Sequence, residues 1–325
     1  MIYYAIGTLV AWNALTAPQQ AVYTAHYLTE EQLFDSIPAT FTDNVTAELI
    51  SAVPLASIVT PVSDFDGYSM VVDGKGFVST VTNNYYFYSD TALGDLKYIN
   101  MYWNRTVDAG ANYQSYLIGV AGSGSRTFEN CTYNGNGHVG QFIWDTGTSE
   151  TRDYFIKKCL IMNVDGENAI RTRDNSPSSV FEHLVFYNCA VTGAALFFTT
   201  DGIARNLYIH VTSGTCYLAT GSPTESDVLT SDATSPDVGD RNISPTDAMI
   251  DPVGGDYMPK KNGVLDVGAA TTSITKYLNG SFVDPDHVYA SCYGYGPAMK
   301  GGGMKKSRAR EIAMRQIERM RNILT

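Results

Sequence analysis

The sequence predicts an all-β fold, a right-handed parallel β-helix solenoid, on three observations. An apolar template, Φ-x-x-Φ-x-Φ, recurs at intervals of 20 to 32 residues between Leu96 and Val211. Each copy is followed by a polar or glycine-bearing turn and then by a second short β-prone segment. The composition, with 29 Gly, 22 Tyr and only 17% charged residues, suits a coil of short strands and argues against a helical bundle.

The copies read Leu96, Ile99 and Met101; Phe128, Cys131 and Tyr133; Ile156, Cys159 and Ile161; and Phe186, Cys189 and Val191. A last copy has Ile209 and Val211, with polar Asn206 at the first anchor. The second segments are Tyr116 to Val120, Gln141 to Trp144, Ala169 to Thr172, Ala195 to Thr199 and Cys216 to Ala219. A unit of two or three short strands cannot bury its apolar face alone, but stacked turns of a coil place like residues over like. That stacking puts Cys131, Cys159 and Cys189 on one phase and lets the period absorb insertions at the corners. The β-branched and aromatic content, with frequent turn residues, excludes helical repeats.

A solenoid exposes its terminal rungs and needs caps. Residues 1–64 are assigned to an N-terminal capping or attachment region, 65–224 to the coil, 225–299 to a loop-rich β segment and 300–325 to a hinged basic helix. Ile2 to Leu15 reads as a buried strand or helix, too short to span a membrane and without the basic start of a signal peptide. Thr29 and Gln32 form a capping box, with a hydrophobic staple from Leu28 to Leu33, so a short helix begins there. A second helix is expected from Asn44 to Ala52, ended by Pro54. Glu225 to Pro245, rich in Ser, Thr, Asp and Pro, reads as a long loop leaving the coil.

Beyond Gly301-Gly302-Gly303, the stretch Lys305 to Leu324 sets Ala309, Ala313, Ile317, Met320 and Leu324 on one stripe, which makes an amphipathic helix. From Lys300 onward there are eight basic residues against two acidic ones. The tail therefore carries +6 of a net charge of −11, and the remainder sums to −17. Such a body repels nucleic acid and acidic membrane surfaces. The tail is suited to docking on a partner protein through Lys305, Lys306, Arg308, Ile312, Arg315, Ile317, Met320 and Leu324. Self-association as a coiled coil, contact with nucleic acid or membrane, and packing against its own body are the alternatives. The five cysteines make an odd count, with no CxxC pair and no histidine at metal spacing, so they read as buried thiols of an intracellular product.

No catalytic residue is assigned. Glycan hydrolysis needs two carboxylates held about 5 to 9.5 Å apart. The candidates are Asp145, Glu150, Asp153, Glu167, Arg171, Arg173 and Asp174, with Asp165 and Glu182 nearby, most of them at turns where acidic residues serve the backbone. His138, His183 and His210 have no sequence companion for a triad or a metal site. Asp251, Asp256 and Asp266 are candidate Ca²⁺ ligands in turn-forming surroundings, and no other cofactor is expected. Trp103, Tyr113, Trp144 and Tyr154 are candidates for stacking on sugars.

The copy Phe128-Glu129-Asn130-Cys131-Thr132-Tyr133-Asn134 resembles rungs of the right-handed parallel β-helix superfamily typified by pectate lyases and phage tailspikes. Asp251-Pro252 with Gly255-Asp256-Tyr257, then Asn262 to Gly268, is similar to the closing segment of many such proteins. The resemblance covers roughly residues 65 to 270 and does not include the catalytic signatures of pectate lyases or polygalacturonases. Together with the absence of an export signal and the hinged basic tail, it implies a bacteriophage virion structural protein: a capsid decoration, fibre or tailspike-like component. Such a protein is made in the host cytoplasm, assembles as a homo-oligomer, expected to be a trimer, and attaches by its terminal segments to other virion proteins of the capsid or tail. The alternatives are a tailspike-like depolymerase, acting as a polysaccharide lyase or glycoside hydrolase, and a non-catalytic adhesin for host surface glycan.

Overall fold

A computed structural model describes residues 1–36, 43–56, 68–82, 94–108, 124–145, 153–172, 178–198, 201–236, 240–278, 281, 283 and 286–292, and the backbone alone of 87–89 and 116–120. It is an all-β parallel solenoid of about seven turns, consistent with a right-handed β-helix. One column of the coil stacks β1 (Ile2–Ile6), β3 (Val45–Leu49), β5 (Ser69–Asp73), β8 (Asp95–Ile99) and β11 (Arg126–Glu129). It continues through the starts of β14 (Tyr154–Met162), β17 (Val180–Phe198) and β18 (Ile203–Ala219) and ends on β19 (Thr224–Thr230). A second column stacks β4 (Val53–Leu55), β6 (Val78–Val81), β9 (Tyr102–Arg105), β12 (Thr132–Asn134) and the second half of β14. The third runs through β7 (Phe87–Ser89), β10 (Tyr116–Val120), β13 (Gln141–Asp145), β16 (Ile170–Arg171) and the far end of β17, while the short β15 (Asp165–Gly166) pairs with the middle of β17.

The spacing of the template has a backbone cause. Strict strand alternation would space inward residues by two. Between the first and second columns, however, Asn100, Asn130, Lys158, His183 and Asn206 adopt left-handed φ values of +53° to +60°. This residue, with the outward one before it, supplies the two x positions of Φ-x-x-Φ and turns the corner. Asparagine adopts this conformation more readily than most residues. The aligned copies are Tyr98, Met101, Trp103; Phe128, Cys131, Tyr133; Ile156, Cys159, Ile161; Phe181, Leu184, Phe186; and Ala204, Leu207, Ile209, all of them buried. Tyr98 and Phe128 stack in adjacent turns, with ring centroids 5.8 Å apart.

Several expectations change. The first copy of the template lies two residues later than read, the last lies two earlier and the fourth five earlier. Phe186, Cys189 and Val191 instead straddle the next corner, where Asn188 is left-handed. Cys131 and Cys159 are stacked, but Cys159 pairs with Leu184, so Cys189 belongs to another column. Asn44 to Ala52 is not helical: it holds β3 and leads to β4, and the parallel ladder starts at Ile2. The alternation of Val45, Ala47 and Leu49 facing inward, with Thr46 and Glu48 outward, decides for strand over helix. Ile2 to Leu15 divides into β1 and a short helix α1 (Leu9–Asn13) with no buried residue. The helix at Glu30 forms and is capped by Thr29, but Leu28 is exposed, so the staple does not form. Thr224–Thr230 is a strand, and the loop begins only at Ser231.

From β8 onward the number of residues per turn shrinks steadily. Paired positions are 30 apart from β8 to β11 and 28 from β11 to β14. They are then 25, 23 and 21 apart at the next three steps. Some turns touch through backbone: a Cβ on Gly135 would lie 2.4 Å from the Asn163 carbonyl oxygen, and one on Gly202 would lie 2.2 Å from that of Ser179.

Two additions cover the coil. After α2 (Ala17–Gln20) and β2 (Ala25–Tyr27), helix α3 (Glu30–Ser36) buries Leu33 and Phe34, and its Glu30 accepts a 2.7 Å hydrogen bond from the Tyr98 hydroxyl. At the other end, the described residues between 240 and 292 form a strap along the outside, with α4 (Pro245–Ala248) and an antiparallel pair, β20 (Met249–Asp251) and β21 (Asp256–Pro259). Met249, Leu265, Ile274, Tyr277, Tyr289 and Cys292 of the strap cover the outward column Leu160, Val185, Tyr208 and Leu229. Burying four such side chains stabilises the strap by several kcal/mol, at about 1.5 to 3 kcal/mol each.

Candidate functional site

At the second corner the chain repeats its left-handed turn at Asn136, Asn163 and Asn188, and the amides run from turn to turn. Asn188 Nδ2 donates to Asn163 Oδ1 (2.8 Å), Asn163 Nδ2 to Asn134 Oδ1 (2.9 Å) and Asn134 Nδ2 to Asn104 Oδ1 (3.1 Å). Asn134 is saturated, since its Nδ2 also donates to Asn136 Oδ1 and its Oδ1 also accepts from the Asn136 backbone N–H, whereas Asn163 and Asn188 keep donor and acceptor capacity for an external partner. Beside them lies an open groove of about 280 Å³ lined by Asn136, Gly137, Asn163, Val164, Asp165, Asn188, Ala190 and Thr212. The Tyr187 ring adjoins this column, between His210 (centroids 5.4 Å) and Tyr257 (5.1 Å). His210 Nδ1 accepts from the Asn188 backbone N–H at 3.1 Å, and burial pushes its pKa down, so the ring is neutral near pH 7. Amides, a hydroxyl and an adjacent tyrosine suit a neutral polyhydroxylated ligand. Asp165 is the single carboxylate on the lining.

The acidic candidates are occupied with the fold. Asp145 is buried and accepts a 2.6 Å hydrogen bond from the Tyr154 hydroxyl. Asp153 accepts from the Ser178 backbone N–H, and Glu167 pairs with Arg171 at 3.3 Å. The Arg171 guanidinium lies 4.7 Å from the centre of the Trp144 ring and 5.3 Å from that of Phe197. Glu150, Arg173 and Asp174 lie outside the described residues. Trp103, Trp144 and Tyr154 are buried and therefore do not present a face to sugars, and Tyr113 lies outside the described residues. Asp251, Asp256 and Asp266 each accept a backbone N–H in their own turn, from Gly254, Met258 and Gly268. The docking residues Lys305, Lys306, Arg308, Ile312, Arg315, Ile317, Met320 and Leu324 also lie outside the described residues.

One polar cluster escaped the sequence reading. His183, fully buried at the first corner, faces the backbone oxygens of Tyr289 (3.0 Å) and Ser291 (3.1 Å) with Nδ1 and the Thr272 hydroxyl (2.8 Å) with Nε2. Two carbonyls at Nδ1 require the proton there, so Nε2 is the acceptor. Burial drives the His183 pKa down to about 4, against the pull of Glu182, and the ring is neutral. Burial would raise the pKa of Glu182, but the Ser273 hydroxyl and backbone N–H, with His183 and Arg205, hold it below the ordinary value. Arg205 Nε reaches Glu182 at 3.0 Å, Lys157 reaches Ser273 Oγ at 2.9 Å, and Asn206 donates to the Thr271 carbonyl. The cluster ties the strap to three turns of the coil. Its sequence signal was the adjacent Glu182-His183 pair occupying both x positions of a template copy.

Set against models of protein families, curated proteins and solved structures, the chain matches none.

Proposed function

We propose that this chain is a bacteriophage virion structural protein, a rigid β-solenoid of the decoration, fibre or tailspike-like kind that joins a larger assembly through its terminal segments. The observation that carries the reading is the use of the acidic residues: Asp145, Asp153 and Glu167 serve the scaffold through Tyr154, Ser178 and Arg171. Support also comes from five cysteines that are all free and buried, as suits a product of a reducing cytoplasm. The basic tail on an acidic body suits attachment to an acidic neighbour. Mass spectrometry of gradient-purified particles from the producing host, with light scattering of the pure chain, tests it. The chain is expected in the particle fraction and as a trimer in solution. A monomer found only in the soluble fraction overturns the reading.

The groove beside Asn136, Asn163 and Asn188 favours a second role, binding of host surface glycan without cleavage. Incubation with host polysaccharides is expected to shift the Asn163 and Asn188 side-chain amide resonances and to release nothing. New reducing ends or unsaturated uronates would make the protein a depolymerase instead.

A further inference from the structure

The N-terminal end of the coil carries an apolar face that nothing described covers. Helix α1 is held by Trp12, which stacks on His26 at 4.8 Å and meets Tyr23 edge-on at 6.1 Å. Its Leu9 and Val10 are 57% and 81% exposed. Val22 and Leu28, on the two segments that Trp12 ties together, are 60% and 47% exposed. Scattered exposed apolar residues are ordinary; these four lie within twenty residues, on segments that the Trp12 ring contacts join. The charge around it is one-sided. The first 74 residues contain eight carboxylates and no lysine or arginine. Glu30 is turned inward, Asp43 holds the terminal amine, Glu48 and Asp73 hold Lys75, and Asp64 and Asp66 lie outside the described residues, which leaves the half-buried Glu31 and the exposed Asp35, one turn apart on α3.

Residues 305–324 have the matching character, an apolar stripe of Ala309, Ala313, Ile317, Met320 and Leu324 within a +6 segment. They are also within reach. Cys292 packs beside Val185 of β17, six ladder steps from β1, or about 29 Å at roughly 4.8 Å per step. The twelve residues 293–304 span up to about 40 Å. A tether that covers the gap gives the segment an effective concentration of the order of millimolar at that face, above any second copy in dilute solution.

We propose that residues 305–324 fold back onto the N-terminal face of the same chain, with the apolar stripe on Leu9, Val10, Val22 and Leu28 and Lys305, Lys306 and Arg308 toward Glu31 and Asp35. The attachment helix is then masked in the isolated chain, and an assembly partner must displace it. This rests on reading the segment as an amphipathic docking helix. It concerns the pure chain alone, so particle association can fail without affecting it.

Carbodiimide cross-linking of the full chain, with unlabelled and ¹⁵N-labelled protein mixed in denaturant and refolded together so that any oligomer holds both isotopes, tests the proposal. The expected products join Lys305 or Lys306 to Glu31 or Asp35 in same-isotope pairs only, and they are lost in the double variant Ile317→Glu, Met320→Glu. Because Trp103 and Trp144 are buried, acrylamide quenching reports on Trp12 and is expected to rise in that variant. Absent cross-links, mixed-isotope cross-links or unchanged quenching each overturn the proposal. The wild-type cross-links need no variant, so a folding defect in the variant does not obscure the result.

Discussion

Lowering the pH from 7 to 5 is expected to release the C-terminal strap while the coil stays folded. The lever is His183, whose pKa falls from an ordinary 6.5 to about 4 when the strap closes over it. A released histidine binds a proton below pH 6.5 and the docked one does not, so docking is fully favoured above that pH and weakens as pH falls toward 4. The whole shift corresponds to about 3 kcal/mol at 1.36 kcal/mol per unit. About 2 kcal/mol of it is lost between pH 7 and pH 5, a roughly 30-fold rise in the open fraction. Glu182 acts in the same direction only below its ordinary 4.5, outside this window. Cys292 supplies the readout, being a strap residue buried against the outer column of the coil, whereas Cys131 and Cys159 lie in the bore. Pulse labelling with dithiodipyridine, corrected for the reactivity of a free thiol and mapped by mass spectrometry, is expected to show Cys292 labelled roughly 30-fold faster at pH 5 and the other two unchanged. His183→Asn keeps a residue suited to the left-handed turn and removes the titration, so its labelling should not depend on pH. Equal labelling of the wild type at both pH values, or a full pH response in His183→Asn, refutes the reasoning.

Asn163→Leu removes two amide bonds and forces a branched residue into φ +53°, so a loss of about 3 kcal/mol in urea unfolding is expected, against about 1 to 2 kcal/mol for Asn163→Gly, which keeps the conformation. Gly135→Ala drives a Cβ against the Asn163 carbonyl and should destabilise by about 2 kcal/mol or more; Gly137→Ala meets no neighbour and should cost about 1 kcal/mol, from its positive φ alone. Burial would raise the pKa of Glu129, but Lys158 and Lys97 hold it down to about 2, so its contribution is present above pH 4.5 and fades as pH falls from there. Glu129→Gln should therefore flatten the acid limb of a pH-stability curve measured by thermal unfolding.

The solenoid was legible because its grammar is local. Phe128, Cys131 and Tyr133 and then Ile156, Cys159 and Ile161 obey one spacing imposed by a left-handed residue, and that spacing survives changes in loop length. The register was not legible for a related reason. The second corner repeats the pattern at Phe186, Cys189 and Val191, so an apolar template alone cannot tell one corner from the next. The asparagines could have: Asn100 and Asn130 mark the first corner, Asn163 and Asn188 the second. Asn44 to Ala52 misled because a polar start and a following proline are helix signals, while Val45, Ala47 and Leu49 alternate as a strand does. Of the acidic candidates, Asp153 and Glu167 lie between strands as expected, whereas Asp145, Asp165 and Glu182 lie in strands, and the partners of the acids were not legible. Those partners lie up to a full turn away, as Ser178 does from Asp153, and no spacing rule reaches them. His183 was opaque because the two carbonyls and the hydroxyl that hold its ring belong to a strap roughly ninety or more residues further on.

The shrinking turn has a kinetic consequence. Ladder partners are 21 to 30 residues apart from β8 onward, so the pairing separation within the coil is about 0.08 of the chain length, in the range of helical bundles, which fold quickly, and below that of β-sandwiches. Closing a 21-residue loop costs slightly less entropy than closing a 30-residue one, by about 0.3 kcal/mol. The last turns are therefore the easiest to close first, and assembly should run from β17, β18 and β19 back toward β8. The strap cannot join that nucleus early, because its contacts bridge about a hundred residues and need the finished outer column. A refolding chain should gain its strand signal in one phase and protect Cys292 in a later one.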